Sequence, residues 1–277
     1  MRDFNGKGTL DDRVNIVLGE LALGIQWEKP SLILVIYRSE HIKNIVQVTL
    51  AKTLRDSGHI VLQYSVDKLH YDIPLDLLDH PKHQQAVFFV CGLRWGGGRG
   101  YSNSYRALNM HREYFIEGNI KAIFWLTAYE EKQLARFSPD FWAFRHKVVE
   151  FLDLPSIEGV KPLVSTKGSN NSLSTKKAND YQMRINTAER LRALGCIDES
   201  IQNFRNTLRK YPGETAINLK IAEIYLSMGR LSAAGRILKK ANKGKTDAFC
   251  YSEELNHLNL VAKSMQPVCG GFSEQML

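Results

Sequence analysis

Two glycines, Gly195 and Gly229, stand 34 residues apart, and the same order of side-chain sizes recurs around each. Ala188 is matched by Ala222, Leu191 by Tyr225, Ser200 by Ala234 and Phe204 by Leu238, every pair at that same offset. Each unit reads as two amphipathic helices joined at a glycine turn. A helix pair of this size cannot bury its apolar face alone, so stability must come from stacking one unit on the next. Residues 249–263 (FCYSEELNHLNLVAK) are amphipathic and suit a helix that caps the stack. The expected array is all-α and spans residues 180–265, with a flexible tail over 266–277.

A 34-residue helix–turn–helix period is that of the tetratricopeptide repeat, and the segment resembles that family position by position. Ala188 and Ala222 stand where its helix pair packs closely, and Leu191 and Tyr225 fill the large position that follows. Ser200 and Ala234 take the small position of the second helix, with Phe204 and Leu238 four residues on. Pro212 closes the first unit as the family pattern expects, but Thr246 replaces the second proline. Arg184 with Thr187, and Asn218 with Ile221, stand where the family usually has Trp and Leu. The resemblance implies a groove lined by the first helix of each unit. That groove would present Ile185, Glu189, Arg192, Leu219, Glu223 and Leu226 to a peptide or helix of a protein partner.

The charge is uneven. Residues 1–155 carry 19 Lys/Arg against 18 Asp/Glu, whereas the remainder carries 18 against 11, so most of the net +8 lies in the second half. Arg236, Lys239, Lys240 and Lys243 fall on one helical face, a stripe able to track phosphates. A solvated repeat surface is the plainer account of it.

Residues 156–179 change character, being rich in Ser, Asn, Gly and Lys without an aromatic side chain until Tyr181. They read as a linker, flexible at least over 165–177. Before it, short apolar runs alternate with helical patterns. Strands are expected at 32–37, 60–64, 86–91, 120–126 and 148–152, and helices at 10–23, 41–57, 105–117 and 130–137. Alternation of this kind implies an α/β domain with a parallel sheet of about five strands, covered on both faces, over residues 1–155.

Within this part LNMHRE (108–113), IFWLT (123–127) and SPDFWAFRHKVVEF (138–151) follow in order. They resemble the NTPase-derived domain of bacterial STAND-type and tetratricopeptide-repeat proteins, which implies a P-loop-NTPase-like fold. The departures are chemical. Phosphate cradling needs glycines and a lysine, as in GxxxxGK[ST], but the first strand is followed by Arg38-Ser39-Glu40-His41-Ile42-Lys43-Asn44. The third strand, which should end in a carboxylate for Mg²⁺, ends in Val90-Cys91-Gly92. The domain is therefore expected to be degenerate, with no nucleotide cofactor and no catalytic residues.

Other clusters are weaker. Gly96, Gly97, Gly98 and Gly100 lie between Arg94 and Arg99, with Trp95 and Tyr101 beside them. Arg94 and Arg99 are candidate anion or nucleic-acid contacts, although a mobile connection explains the glycines as well. Asp76, Asp79, His80 and His83 have ligand chemistry, but Pro81 breaks their register, so a surface loop and no metal site is expected. Phe141, Trp142 and Phe144 read as core. Four cysteines at wide spacings form neither a disulfide framework nor a metal knuckle, and no apolar run reaches a bilayer's width. With no leader-like segment visible, a reducing cytoplasm is the expected setting. The function expected is a non-enzymatic adaptor joining other proteins, with an accessory role in bacterial conflict or antiviral defence implied by resemblance alone. Nucleic-acid binding through the basic half is the alternative, followed by residual nucleotide binding in the α/β domain.

Overall fold

The computed structural model describes residues 9–154, 173–243 and 271–273. The chain divides into two compact units, one of residues 1–155 with 269–277, the other of residues 156–268.

The first unit runs α1 (Leu10–Gln26), β1 (Ser31–Tyr37), α2 (Glu40–Asp56), β2 (Ile60–Ser65), α3 (Ile73–Leu78), β3 (Ala86–Cys91), α4 (Asn103–Met110), α5 (Tyr114–Glu117), β4 (Lys121–Thr127), α6 (Ala128–Phe137), α7 (Pro139–Phe144) and β5 (Lys147–Phe151). The sheet order is β5-β1-β4-β3-β2-β6, where β6 is Gly271–Ser273. The first five strands are parallel, and β6 pairs antiparallel with β2.

The strand order decides which face each helix covers. The β1-to-β2 connection crosses the sheet in one direction, and the connections from β2 through to β5 run back the other way. Right-handed crossovers therefore put α2 on one face and α3 to α7 on the other. Side chains alternate accordingly. Ile33, Val35 and Tyr37 of β1 pack with Val17 and Leu21 of α1 and Val46 and Leu50 of α2. Leu32, Leu34 and Ile36 pack with Leu77, Leu108, Phe115, Leu134 and Phe141 from the opposite layer. The central strands β1 and β4 are buried along their whole length, which is why they read as unbroken apolar runs.

The fold differs from the sequence reading at four places. The helix expected over 105–117 is two, α4 and α5, and at the turn between them His111 Nδ1 lies 2.9 Å from the Asp72 carboxylate. The loop expected over 76–83 begins inside α3, which has Pro74 in its first turn and whose Ile73 and Leu77 are fully buried. The glycine stretch after β3 is a tight turn leading into α4, not a loose connection. A Cβ on Gly98 would stand 2.3 Å from the Tyr101 carbonyl oxygen, and Gly97, Gly98 and Gly100 all have positive φ. Lastly, the expected tail supplies β6, since any three residues can complete the backbone ladder of an open edge.

The second unit holds α8 (Leu173–Ala193), α9 (Ile197–Lys210), α10 (Thr215–Ser227) and α11 (Leu231–Lys243). The linker expected to reach residue 179 ends earlier, because Leu173 to Ala178 are mostly good helix formers and continue into α8. Gly195 (φ 73°) and Gly229 (φ 68°) turn α8 into α9 and α10 into α11. Three of the four matched pairs share burial, Ala188, Ala222, Ser200, Ala234 and Phe204 being fully buried and Leu238 nearly so, whereas Leu191 is half-buried and Tyr225 buried. Ser200 Oγ donates to the Ala188 carbonyl at 2.8 Å, a close approach that a larger side chain would prevent. The expected capping helix at 249–263 lies outside the described residues.

Candidate functional site

In an open α/β sheet the natural crevice lies at the carboxyl ends of the strands, where neighbouring connections leave in opposite directions. Here that point is between β1 and β4, whose register sets Tyr37 beside Thr127. The helix that follows β1 should offer its amino terminus to an anion. The first turn of α2 instead carries an acidic side chain of the chain's own. Glu40, the first residue of α2, accepts from Tyr37 OH at 2.8 Å and from Lys43 Nζ at 3.1 Å. The Lys43 ammonium also lies 5.1 Å from the Tyr37 ring centroid.

The electrostatics follow from that packing. Burial pushes the Tyr37 hydroxyl well above its ordinary pKa, and the charges of Glu40 and Glu130 push it further. For Lys43 burial acts downward, but Glu40, Cys91 and Glu130 outweigh it and the net shift is upward. On the β4 side, buried Glu130 closes a capping box with Thr127, accepting from its backbone N–H and its hydroxyl, both at 3.1 Å. Its other oxygen accepts from the Arg94 backbone N–H at 3.2 Å. Arg94 itself stacks on Trp95 at 4.8 Å, while Arg99 is exposed, so the two arginines occupy unlike surroundings. A phosphate entering this crevice would meet a carboxylate, with no glycine backbone to approach.

In the helical unit a groove of about 380 Å³ runs between α8 and α10. Tyr181, Gln182, Asn186 and Glu189 line one side and Ala216, Ile217 and Lys220 the other, with Ile185 beneath. Lys220 Nζ donates to Glu189 at 2.5 Å and Arg192 to Glu223 at 3.1 Å, two ion pairs linking α8 to α10. The sequence reading placed Ile185, Leu219 and Leu226 in the open. They are 8%, 3% and 5% exposed. Leu219 packs with Ala222, Leu238 and Ala241, and so belongs to the contact between α10 and α11. The cause is that α10 is apolar nearly all round, being covered by α9 and α11 together.

Asp180, near the foot of the groove, accepts from Arg184 Nε at 2.9 Å, Lys210 Nζ at 2.9 Å and Tyr211 OH at 2.6 Å. These bonds hold its carboxyl far below the usual carboxylate range and fasten α8 to the end of α9. Arg236, Lys239 and Lys240 are exposed on α11, and the backbone of Lys243 ends that helix. Among the described residues no group of three His, Cys, Asp or Glu side chains is placed to hold a metal ion. Nor is any helix among them long and apolar enough to cross a membrane.

No protein-family model matches the chain, and no curated protein matches it. Among solved structures it is similar to the ORC2 protein of Aeropyrum pernix, solved in ADPNP–ADP complexes, at 11% identity and a TM-score of 0.34. The match covers 55% of this chain and 48% of that one, so this chain spans about half the length of its neighbour. What stands is an α/β unit with a five-strand parallel core, and an all-helical unit.

Proposed function

We propose that this chain is a non-catalytic adaptor, and that its helical unit takes a peptide or amphipathic helix of a protein partner. The groove between α8 and α10 carries the reading. It sets Ile185, 8% exposed, beneath a polar rim of Gln182, Asn186, Glu189 and Lys220, a combination that suits a largely polar segment with one apolar anchor. The 34-residue correspondence of buried positions supports the tetratricopeptide resemblance, in which the first helices of each unit face a partner. The occupied crevice at β1 and β4 supports the view that the α/β unit, resembling a degenerate STAND-type domain, serves as a platform rather than an enzyme.

The test is a pull-down from the native host at about 0.15 M salt, run with the wild type and with Asn186→Trp, which fills the groove from its rim. A stoichiometric protein that survives nuclease and is lost with Asn186→Trp supports the reading. Capture indifferent to that substitution overturns it. The alternative is nucleic-acid binding, for which the exposure of Arg236, Lys239 and Lys240 speaks. In that case binding disappears on nuclease treatment and falls steeply with salt.

A further inference from the structure

At the opposite end of the sheet from the β1–β4 crevice lies a cavity of about 270 Å³. It opens beside the amino-terminal ends of β3 and β4, and its lining includes Glu28, His59, Gln84, Asn119 and Lys121. None of these residues serves the adaptor reading.

Three observations single the cavity out. Lys121, the first residue of β4, is 6% exposed, and its Nζ donates to one acceptor, the Gln84 carbonyl, at 3.2 Å. An ammonium carries three donors, and burying it with so little compensation is unfavourable. Burial accordingly holds its pKa below the ordinary lysine value, with Glu28 opposing that shift. Second, Asn119 Oδ1 is buried without a donor. Third, the lining contains both non-glycine residues that have positive φ among the described ones, Glu28 at 47° and Asn119 at 51°. Each follows the end of a helix, where glycine is the usual occupant and asparagine the usual substitute. Asn119 fits that pattern. Glu28 does not, because a β-carbon is disfavoured there, yet a carboxylate is what stands at the cavity.

The lining thus offers a buried cation, an unused acceptor and a carboxylate within one small space. A simple anion would be drawn to Lys121 but repelled by Glu28, and it would leave Asn119 Oδ1 unmet. A simple cation would face the reverse problem. We propose that the cavity binds a small zwitterion of the α-amino-acid class, its carboxylate on the Lys121 ammonium and its ammonium group against Asn119 Oδ1 and Glu28. The volume equals that of about nine waters at roughly 30 Å³ each, room for an amino acid with a short side chain.

The experiment is thermal unfolding and titration calorimetry of the full chain with glycine, alanine, serine and threonine, beside acetate, methylammonium and inorganic phosphate. At least one amino acid is expected to raise the unfolding temperature and to bind at least tenfold more tightly than acetate or methylammonium. Lys121→Met is expected to abolish that binding. Glu28→Gly is expected to weaken it at least tenfold while raising the unfolding temperature of the free protein, since glycine relieves the backbone. That second variant keeps the test sharp if Lys121→Met fails to fold. Binding of acetate or phosphate as tight as that of any amino acid overturns the proposal, as does no binding by the amino acids, or binding that Glu28→Gly leaves unchanged.

Discussion

Replacing Glu40 with alanine should convert a filled anion slot into an empty one. Two partners lose their acceptor at once, the Tyr37 hydroxyl at 2.8 Å and the Lys43 ammonium at 3.1 Å. Lys43 is 14% exposed on its side chain and Glu40 27%, so the pair is neither fully buried nor free in solvent. Breaking a fully buried pair costs about 3–5 kcal/mol and a surface pair about 0–1, which places Glu40→Ala at about 2 kcal/mol. The same variant should gain what the wild type lacks, stabilisation by phosphate or sulfate at the amino terminus of α2. An anion at 100 times its dissociation constant restores roughly 2.7 kcal/mol, the whole of the loss.

Chemical denaturation at neutral pH, with and without phosphate at fixed ionic strength, measures both effects. The pH dependence is a third reading. Tyr37 and Lys43 both have folded pKa values above their ordinary ones, so their contribution is complete below pH about 10 and is lost as pH rises through the folded values. Glu40→Ala should remove the Lys43 part of that alkaline loss and leave the Tyr37 part, which burial chiefly causes. A variant as stable as the wild type, or one that phosphate leaves untouched, refutes the idea that Glu40 fills an anion slot.

Further outcomes follow from single contacts. Gly98→Ala should lower stability by about 2 kcal/mol or more in thermal unfolding, because the new methyl meets the Tyr101 carbonyl at a positive φ. Phe204→Ala removes a fully buried ring and should cost about 3–5 kcal/mol, read as loss of helical circular dichroism at lower temperature. Asp180→Asn should lower the unfolding temperature at neutral pH; its pKa is depressed in the fold, so the wild type should lose that advantage as pH falls below about 4. Ending the chain at Val268 removes β6 and should produce concentration-dependent self-association in size-exclusion chromatography, since β2 becomes an open edge.

How much of this was legible depends on whether a signal is local. The runs Leu32 to Tyr37 and Ala122 to Leu126 declare buried strands because both faces of a central parallel strand are covered, and no partner need be known. The glycine spacing and the matched small residues fix the helix pairs in the same way. The contact of His111 with Asp72, 39 residues away, at the break between α4 and α5, could not be read from either neighbourhood. Repeat convention alone does not tell which residues of the first helices are covered: Ile185 and Glu189 line the groove, while Leu219 and Leu226 are buried. The composition of α10 (TAINLKIAEIYLS), apolar nearly all round apart from Lys220 and Glu223, already signals that Leu219 and Leu226 are covered. The cavity at Lys121 left one trace, a lysine opening an otherwise apolar strand, and its companions Glu28 and Asn119 come together only through the sheet.

The place of β6 has a consequence for how the molecule is made. Strands β1 to β5 are complete at Phe151, but the strand that shields β2 begins only at Gly271. At a synthesis rate of about 5–20 residues per second, the interval is roughly 6–24 s. Throughout it a nascent sheet can assemble its five parallel strands while Gln63, Tyr64 and Ser65 still present a bare hydrogen-bonding rim to whatever strand is near, including that of a neighbouring chain on the same message. The rim is closed by the late-arriving β6, so folding of the first unit is finished only after the whole helical unit has been translated.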